Sequence, residues 1–189
     1  MSTFSVISDV TNTIIDLLRT NMNGLIQPDH ISPVSPADVE ATTAPYLSVF
    51  LYRISENEHL KYLDMPCSDA ESTNCQPLTL KLFYLLSAYG GDSPTQQQML
   101  GRAMQVLHDN SIVSGTLLLG ELSGTAEELN ICIDPLSIDD LNKLWSLFGS
   151  KPYKTSIGYR VSPILIDSTN DIQTERIIEK SLNFSIKKE

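Results

Sequence analysis

Two runs of the chain constrain the fold more than any other feature: YLSVFLYR at 46–53 and LTLKLFYLLSAY at 78–89. In the first, Leu47, Val49 and Leu51 fall on one face of an extended backbone, while Tyr46, Phe50 and Tyr52 fall on the other. A strand that is apolar on both faces needs cover on both, so this segment reads as a central strand. In the second run, Leu80, Leu82, Tyr84 and Leu86 alternate with Thr79, Lys81, Phe83 and Leu85, which predicts another long strand, with a helix as the alternative because leucine favours helices.

Helical spacing marks three other segments. Val6, Ile7, Val10, Ile14, Leu17 and Leu18 recur at i, i+3, i+4 intervals, with Ser2 or Ser5 as the cap, Asp9 near the positive end and Gly24 as the stop. After Gly90 and Gly91, Ser93 is expected as N-cap with Pro94 at the first helical position and Gln96 completing a capping box. The face of that helix is Met99, Leu100, Ala103, Met104 and Leu107, its end lies near His108, and Asn110 closes it in a left-handed conformation. Ser137 caps the third helix, Asp139 and Asp140 fill its first turn, and Leu136 staples onto Leu141. Its core face is Leu141, Leu144, Trp145 and Phe148, ended by Gly149 and Pro152.

Between these segments, Pro28, Pro33, Pro36 and Pro45 break any ladder and predict a surface connection over 28–45. Residues 55–77 are acidic and polar and read as a long loop or protruding hairpin. The stretch 111–135 holds two short apolar runs among glycines, giving two strands or a strand and a loop. TSIGYRVSPILID at 155–167 alternates as a strand whose Pro163 implies an edge or a bulge. Beyond Ser168, a helical turn is expected at 175–180 and an alternating segment at 182–186. Helices and strands in this irregular order predict an α+β domain: a mostly antiparallel mixed sheet with about three packed helices.

At 189 residues the chain suits one globular domain, or at most a domain with an arm, and can bury a core without disulfides or a structural metal. Its 23 acidic and 13 basic residues leave a net charge of −10, which argues against nucleic acid as a partner. No apolar stretch is long enough to span a membrane and no leader pattern opens the chain, so no membrane insertion and a cytoplasmic protein are expected. Cys67, Cys75 and Cys132 read as free thiols, with Cys132 a small buried hydrophobe in NICID.

Chemistry is not written into the residues. His30, His59 and His108 are widely separated and share no metal-ligand spacing, and His108 suits the C-terminal end of its helix. There is no nucleophile elbow and no phosphate loop; Gly90-Gly91 before a helix would suit an anion, but Asp92 opposes one, which leaves them as turn glycines. The pairs Glu127-Glu128 and Asp139-Asp140 lack the spacing of a calcium loop. No catalytic residue, cofactor or metal is expected.

The order of segments carries a resemblance. The run PLTLKLFYLLSAYGGDSPTQQQMLGRAMQVLHDN at 77–110, with LSVFLYRISEN at 47–57 and LSIDDLNKLWSLFGSKPYKTSIGYRVSPILID at 136–167, resembles the cap or tail-terminator proteins of extracellular contractile injection systems. These phage-tail-like particles are typified by the antifeeding prophage and the Photorhabdus virulence cassettes. The resemblance covers most of residues 1–167 as a cap domain, with 168–189 as a C-terminal arm; the 55–77 loop and the arm depart from the pattern. It implies a fold similar to phage tail terminators and no reaction. It further implies a homo-hexameric ring, assembled in the cytoplasm, that ends polymerisation of the inner tube protein and the contractile sheath protein and anchors the last sheath layer. A chaperone or adaptor that binds a tail component without staying in the particle is the alternative.

A closing ring needs apolar residues beyond one core, and Tyr52, Phe83 and Tyr89 are candidates for the ring or tube interface, with burial in the subunit's own core as the competing role. Arg102, opposite its helix's apolar face, is a fourth candidate, against a solvent-exposed ion pair. Leu182, Phe184 and Ile186 with Lys187 and Lys188 would form a sheath-binding arm that adds a strand to an exposed edge.

Overall fold

A computed structural model describes residues 3–57, 73–74, 77–168 and 171–172. In chain order these form α1 (Val6–Asn21), β1 (Ile31–Ser32), β2 (Tyr46–Glu56), β3 (Thr73–Asn74) and β4 (Leu78–Tyr89). There follow α2 (Ser93–Asp109), β5 (Ile112–Ser114), β6 (Glu128–Asp134), α3 (Ile138–Ser146), β7 (Ser156–Ile166) and β8 (Asp171–Ile172). The architecture is α+β as expected. Six strands form a mixed sheet in the order β1-β2-β4-β7-β6-β5, in which only the β1–β2 pair is parallel, and β3 pairs with β8 in a second small ladder.

The two apolar runs become β2 and β4, paired antiparallel from Tyr46↔Tyr89 to Glu56↔Leu80. Parity then divides the sheet. Leu47, Val49, Leu82, Tyr84, Leu86, Ile131, Tyr159 and Val161 face α1 and α2 in the main core. Phe50, Tyr52, Leu85 and Tyr89 face α3, where Trp145 and Phe148 cover them. Cover on both sides is what the pattern of β2 requires.

Tertiary polar contacts fix α1 at both ends. Thr11 Oγ1 and the buried Tyr84 hydroxyl share a hydrogen bond of 2.9 Å, which satisfies both inside the core. Arg19 donates to the Ile31 carbonyl at 3.2 and 2.7 Å, anchoring β1. Asp9 Oδ2 accepts from the Glu121 backbone, and Gly120 beside it has φ +64°, with its Cβ position only 2.3 Å from the Asp9 carboxyl carbon. A side chain there would collide.

Several local expectations are corrected. Ser5 makes no capping bond, and α1 closes at Asn21 ahead of Gly24. Asp92, not Ser93, caps α2: its carboxylate accepts from Thr95 N at 3.0 Å, a charge-assisted bond at the positive end of the helix. Gln96 accordingly reaches the Gly90 carbonyl instead of closing a box on Ser93. Asn110 is not left-handed, with φ −117°; its side-chain amide returns to the Val106 carbonyl. Met104 is exposed and Val106 takes its place in the core. Ser137 does cap α3 as expected, and Asp140, expected only as a first-turn acid, closes a capping box with it.

The 28–45 connection holds a 3₁₀ turn and β1, because Pro28 and Pro33 flank Ile31 and Ser32 without interrupting them. Pro163 lies in an interior strand at a register shift between Leu80 and Leu82 of β4, so it marks a bulge, not an edge; it also lies just past Ser162, the last residue of β7 paired with β6. Cys132 is exposed: with Leu129 and Ile131 turned to the core, strand alternation sends it to the opposite face. Most of the 55–77 loop, with Cys67 and Cys75, and the elements expected at 175–180 and 182–186 lie outside the described residues.

Candidate interaction surface

The α3 side of the sheet gathers three of the residues singled out from the sequence. Tyr52 shares the α3 face with Phe50 by alternation, the irregularity of β2 between Leu51 and Arg53 brings Arg53 to the same face, and the Tyr52 hydroxyl donates to Asp134 Oδ2 at 3.1 Å. Burial, then the Asp134 charge, pushes the Tyr52 hydroxyl up to about 12. Phe83 packs against Tyr52 at 6.3 Å between ring centroids and is only 5% exposed. Tyr89 is half-buried at the end of β4, edge-on to Tyr46 at 6.4 Å. Its hydroxyl is buried without a hydrogen bond of ordinary geometry, and burial, offset in part by the neighbouring Ser87 hydroxyl, raises it to about 12.

Arg102 lies elsewhere, on α2 at the other face of the sheet. Its Nε and Nη2 donate to the Asn21 carbonyl at 3.2 and 3.0 Å, and Nη1 donates to Gln105 Oε1 at 2.9 Å. In place of an exposed ion pair, Arg102 holds the last carbonyl of α1 and ties the two helices together. Leu182, Phe184, Ile186, Lys187 and Lys188 lie outside the described residues.

α3 is a short helix with a divided surface. Trp145 and Phe148 stack edge-to-face at 5.4 Å over Phe50 and Leu85, with Tyr153 against Trp145 at 5.5 Å. Ile138 and Leu147, by contrast, are 84% and 77% exposed. Between α3 and the sheet lies an open groove of about 660 Å³ whose lining mixes Tyr52, Pro135, Leu144 and Leu147 with the charged Arg53, Asp134, Asp140 and Lys143.

Sequence reasoning missed the cations on this face. Register places Arg53 opposite Phe83, Phe83 opposite Arg160, and Lys81 opposite Ser55. Alternation assigns each residue a face within its own strand; the pairing that draws the three cations together is set by strand order and register.

Among the described residues, no group of histidine, cysteine or carboxylate side chains is placed to hold a metal ion, and no helix is long and apolar enough to cross a membrane.

This α+β fold is similar to that of solved caps of contractile particles. It is similar over 98% of this chain and 67% of the other to a cryo-EM structure of an extracellular contractile injection system, the PVC sheath/tube terminator in its extended state (TM-score 0.65, 20% identity). It is also similar to the tube-terminating cap of the anti-feeding prophage, over 94% of this chain and 61% of the other (TM-score 0.55, 16% identity). The Pvc16 N-terminal domain family matches residues 9–180, and the chain belongs to that family. No curated protein matches the chain.

Proposed function

We propose that this chain is a structural cap of a contractile injection system. It forms a hexameric ring that ends growth of the inner tube and sheath and anchors the last sheath layer. The carrying observation is the fold, shared across 98% of the chain with a solved sheath/tube terminator. Family membership over residues 9–180 supports the same reading.

Physically, a terminator needs one surface that fits the last ring of the tube and another that offers the next ring nothing. It also needs a heterologous contact between copies that closes on itself. Exposed Ile138 and Leu147 and half-buried Tyr52 and Tyr89 supply apolar area for such contacts on one side of the sheet. Arg102 sits on the opposite side, where it would serve a contact only through the α1–α2 junction. The role asks for complementary surfaces, not chemistry, and the chain is read as non-enzymatic. The tail beyond Ser168 reaches a sheath neighbour and adds a strand through Leu182, Phe184 and Ile186, with Lys187 and Lys188 at its end.

Light scattering on the purified chain tests the ring: a mass several times 20.9 kDa supports it, whereas a persistent monomer or dimer favours a transient chaperone or adaptor. Ending the chain after Ile166 tests the arm. Loss of sheath attachment with the ring retained supports it, and unchanged attachment contradicts it.

A further inference from the structure

The described residues contain eight arginines and lysines, and three of them are consumed by backbone carbonyls: Arg19 by Ile31, Arg102 by Asn21 and Lys151 by Val39. Arg53, Lys81 and Arg160 are different. Among the described residues they form no hydrogen bond or ion pair, yet all three lie on the same face of the sheet. Arg53 and Arg160 flank Phe83 in one row across β2, β4 and β7, and Lys81 stands two residues along β4 on the same face.

Adjacent strands run ~4.8 Å apart and residues two apart on a strand lie ~7 Å apart, so the three side chains originate within about 10–12 Å of one another. Grouped like charges repel. In a chain of net charge −10 nothing in the core requires the grouping.

The arrangement is also preorganised. The Arg53 guanidinium lies 3.8 Å over the Phe83 ring centroid, a cation–π contact that fixes its plane and leaves its forked N–H donors unspent. Arg53 also lines the groove beneath α3, beside Leu144 and the exposed Leu147. Cationic row and groove are therefore one continuous surface.

We propose that this surface docks a short segment of a partner protein in which carboxylates flank a bulky apolar residue. The carboxylates engage Arg53, Lys81 and Arg160, and the apolar side chain enters the groove. A fork-shaped guanidinium matches a carboxylate two bonds at a time. A nucleic acid strand suits the surface less well: its phosphates continue past the three cations onto the remainder of a chain of net charge −10, whereas a short segment brings only a few carboxylates and an apolar side chain for the groove. The inference goes beyond tube termination and does not rest on it.

Fluorescence anisotropy with the full chain tests the proposal. The probe is a short fluorescein-labelled peptide repeating Glu-Glu-Leu, compared with the same peptide carrying glutamine for glutamate and with a single-stranded DNA oligonucleotide of equal charge. Saturable binding of the acidic peptide that weakens as salt rises is expected, with the glutamine peptide at least about tenfold weaker. Lys81→Glu combined with Arg160→Glu should weaken it by a similar factor, while Lys154→Glu, a reversal ahead of β7, beside Tyr89 and outside the groove, should leave it unchanged. Arg160→Gln, milder and checked for an unaltered circular dichroism spectrum, should give an intermediate loss. Absence of binding by the unaltered chain, an equal loss with Lys154→Glu, or DNA binding as tight as the peptide would each overturn it.

Discussion

Tyr52 and Tyr89 differ in how they are held, one bonded to Asp134 and the other without a hydrogen bond of ordinary geometry, but burial raises both hydroxyls to about 12. A folded-state value above the ordinary 10.0 means the native chain holds a proton that the unfolded chain releases first. This contribution to stability is complete below pH 10.0 and is lost as pH rises toward about 12. Urea midpoints measured across that window should fall with pH, and Tyr52→Phe should flatten part of the fall. The opposite sign holds for Asp140, Asp92 and Glu121. Hydrogen bonds from Ser137, Thr95 and Thr3 lower their carboxyls, so their contribution is present above the ordinary 3.8 to 4.5 and is lost as pH falls below it. Helix content followed by circular dichroism between neutral pH and strong acid should show this, and Asp140→Asn should remove part of the transition.

At the scale of the element, caps and turn glycines set where helices and strands meet. Ser137→Ala breaks the capping box of α3 and should cost about 1 kcal/mol in thermal or urea unfolding. Gly90 joins β4 to α2 at φ +70°, with its Cβ position 1.8 Å from the Ala44 carbonyl oxygen, whereas Gly24, at φ +91°, has open space around it. Gly90→Ala should therefore destabilise by more than the ~1–2 kcal/mol that a left-handed alanine costs, and Gly24→Ala by about that amount alone. Equal losses at the two sites would remove the steric argument.

These elements also show what the sequence displays and what it conceals. The α3 cap was legible because Ser137 and the first turn it caps are neighbours in the chain, and β2 and β4 were legible because alternation is local. Asp92 and Ser93 are both good caps, and only the fold decides that the charged one sits outside the helix. β1 escaped notice because its two residues are extended by pairing with Leu47 and Ser48, not by their own preference. The Cys132 error has the same origin: a run as apolar as NICID does not state which of its alternate positions faces helices. On the candidate surface, the rings of Tyr52, Phe83 and Tyr89 could be named from composition, but Arg53, Lys81 and Arg160 come together only through β2-β4-β7 order.

Across the described residues of the whole molecule, one face of the sheet carries two long helices and the main core, and the other carries short α3 and part of the 28–45 connection, with apolar and cationic groups beside them. Membership in the Pvc16 N-terminal domain family and likeness to two solved caps of contractile particles support a role at the end of a tube. The most direct measurement is electron microscopy of particles from a strain lacking this chain. Termination predicts tubes and sheaths of scattered, abnormal length, or sheaths that contract before firing, restored to normal when the chain is supplied again. Particles of uniform normal length that remain extended without it would contradict the account.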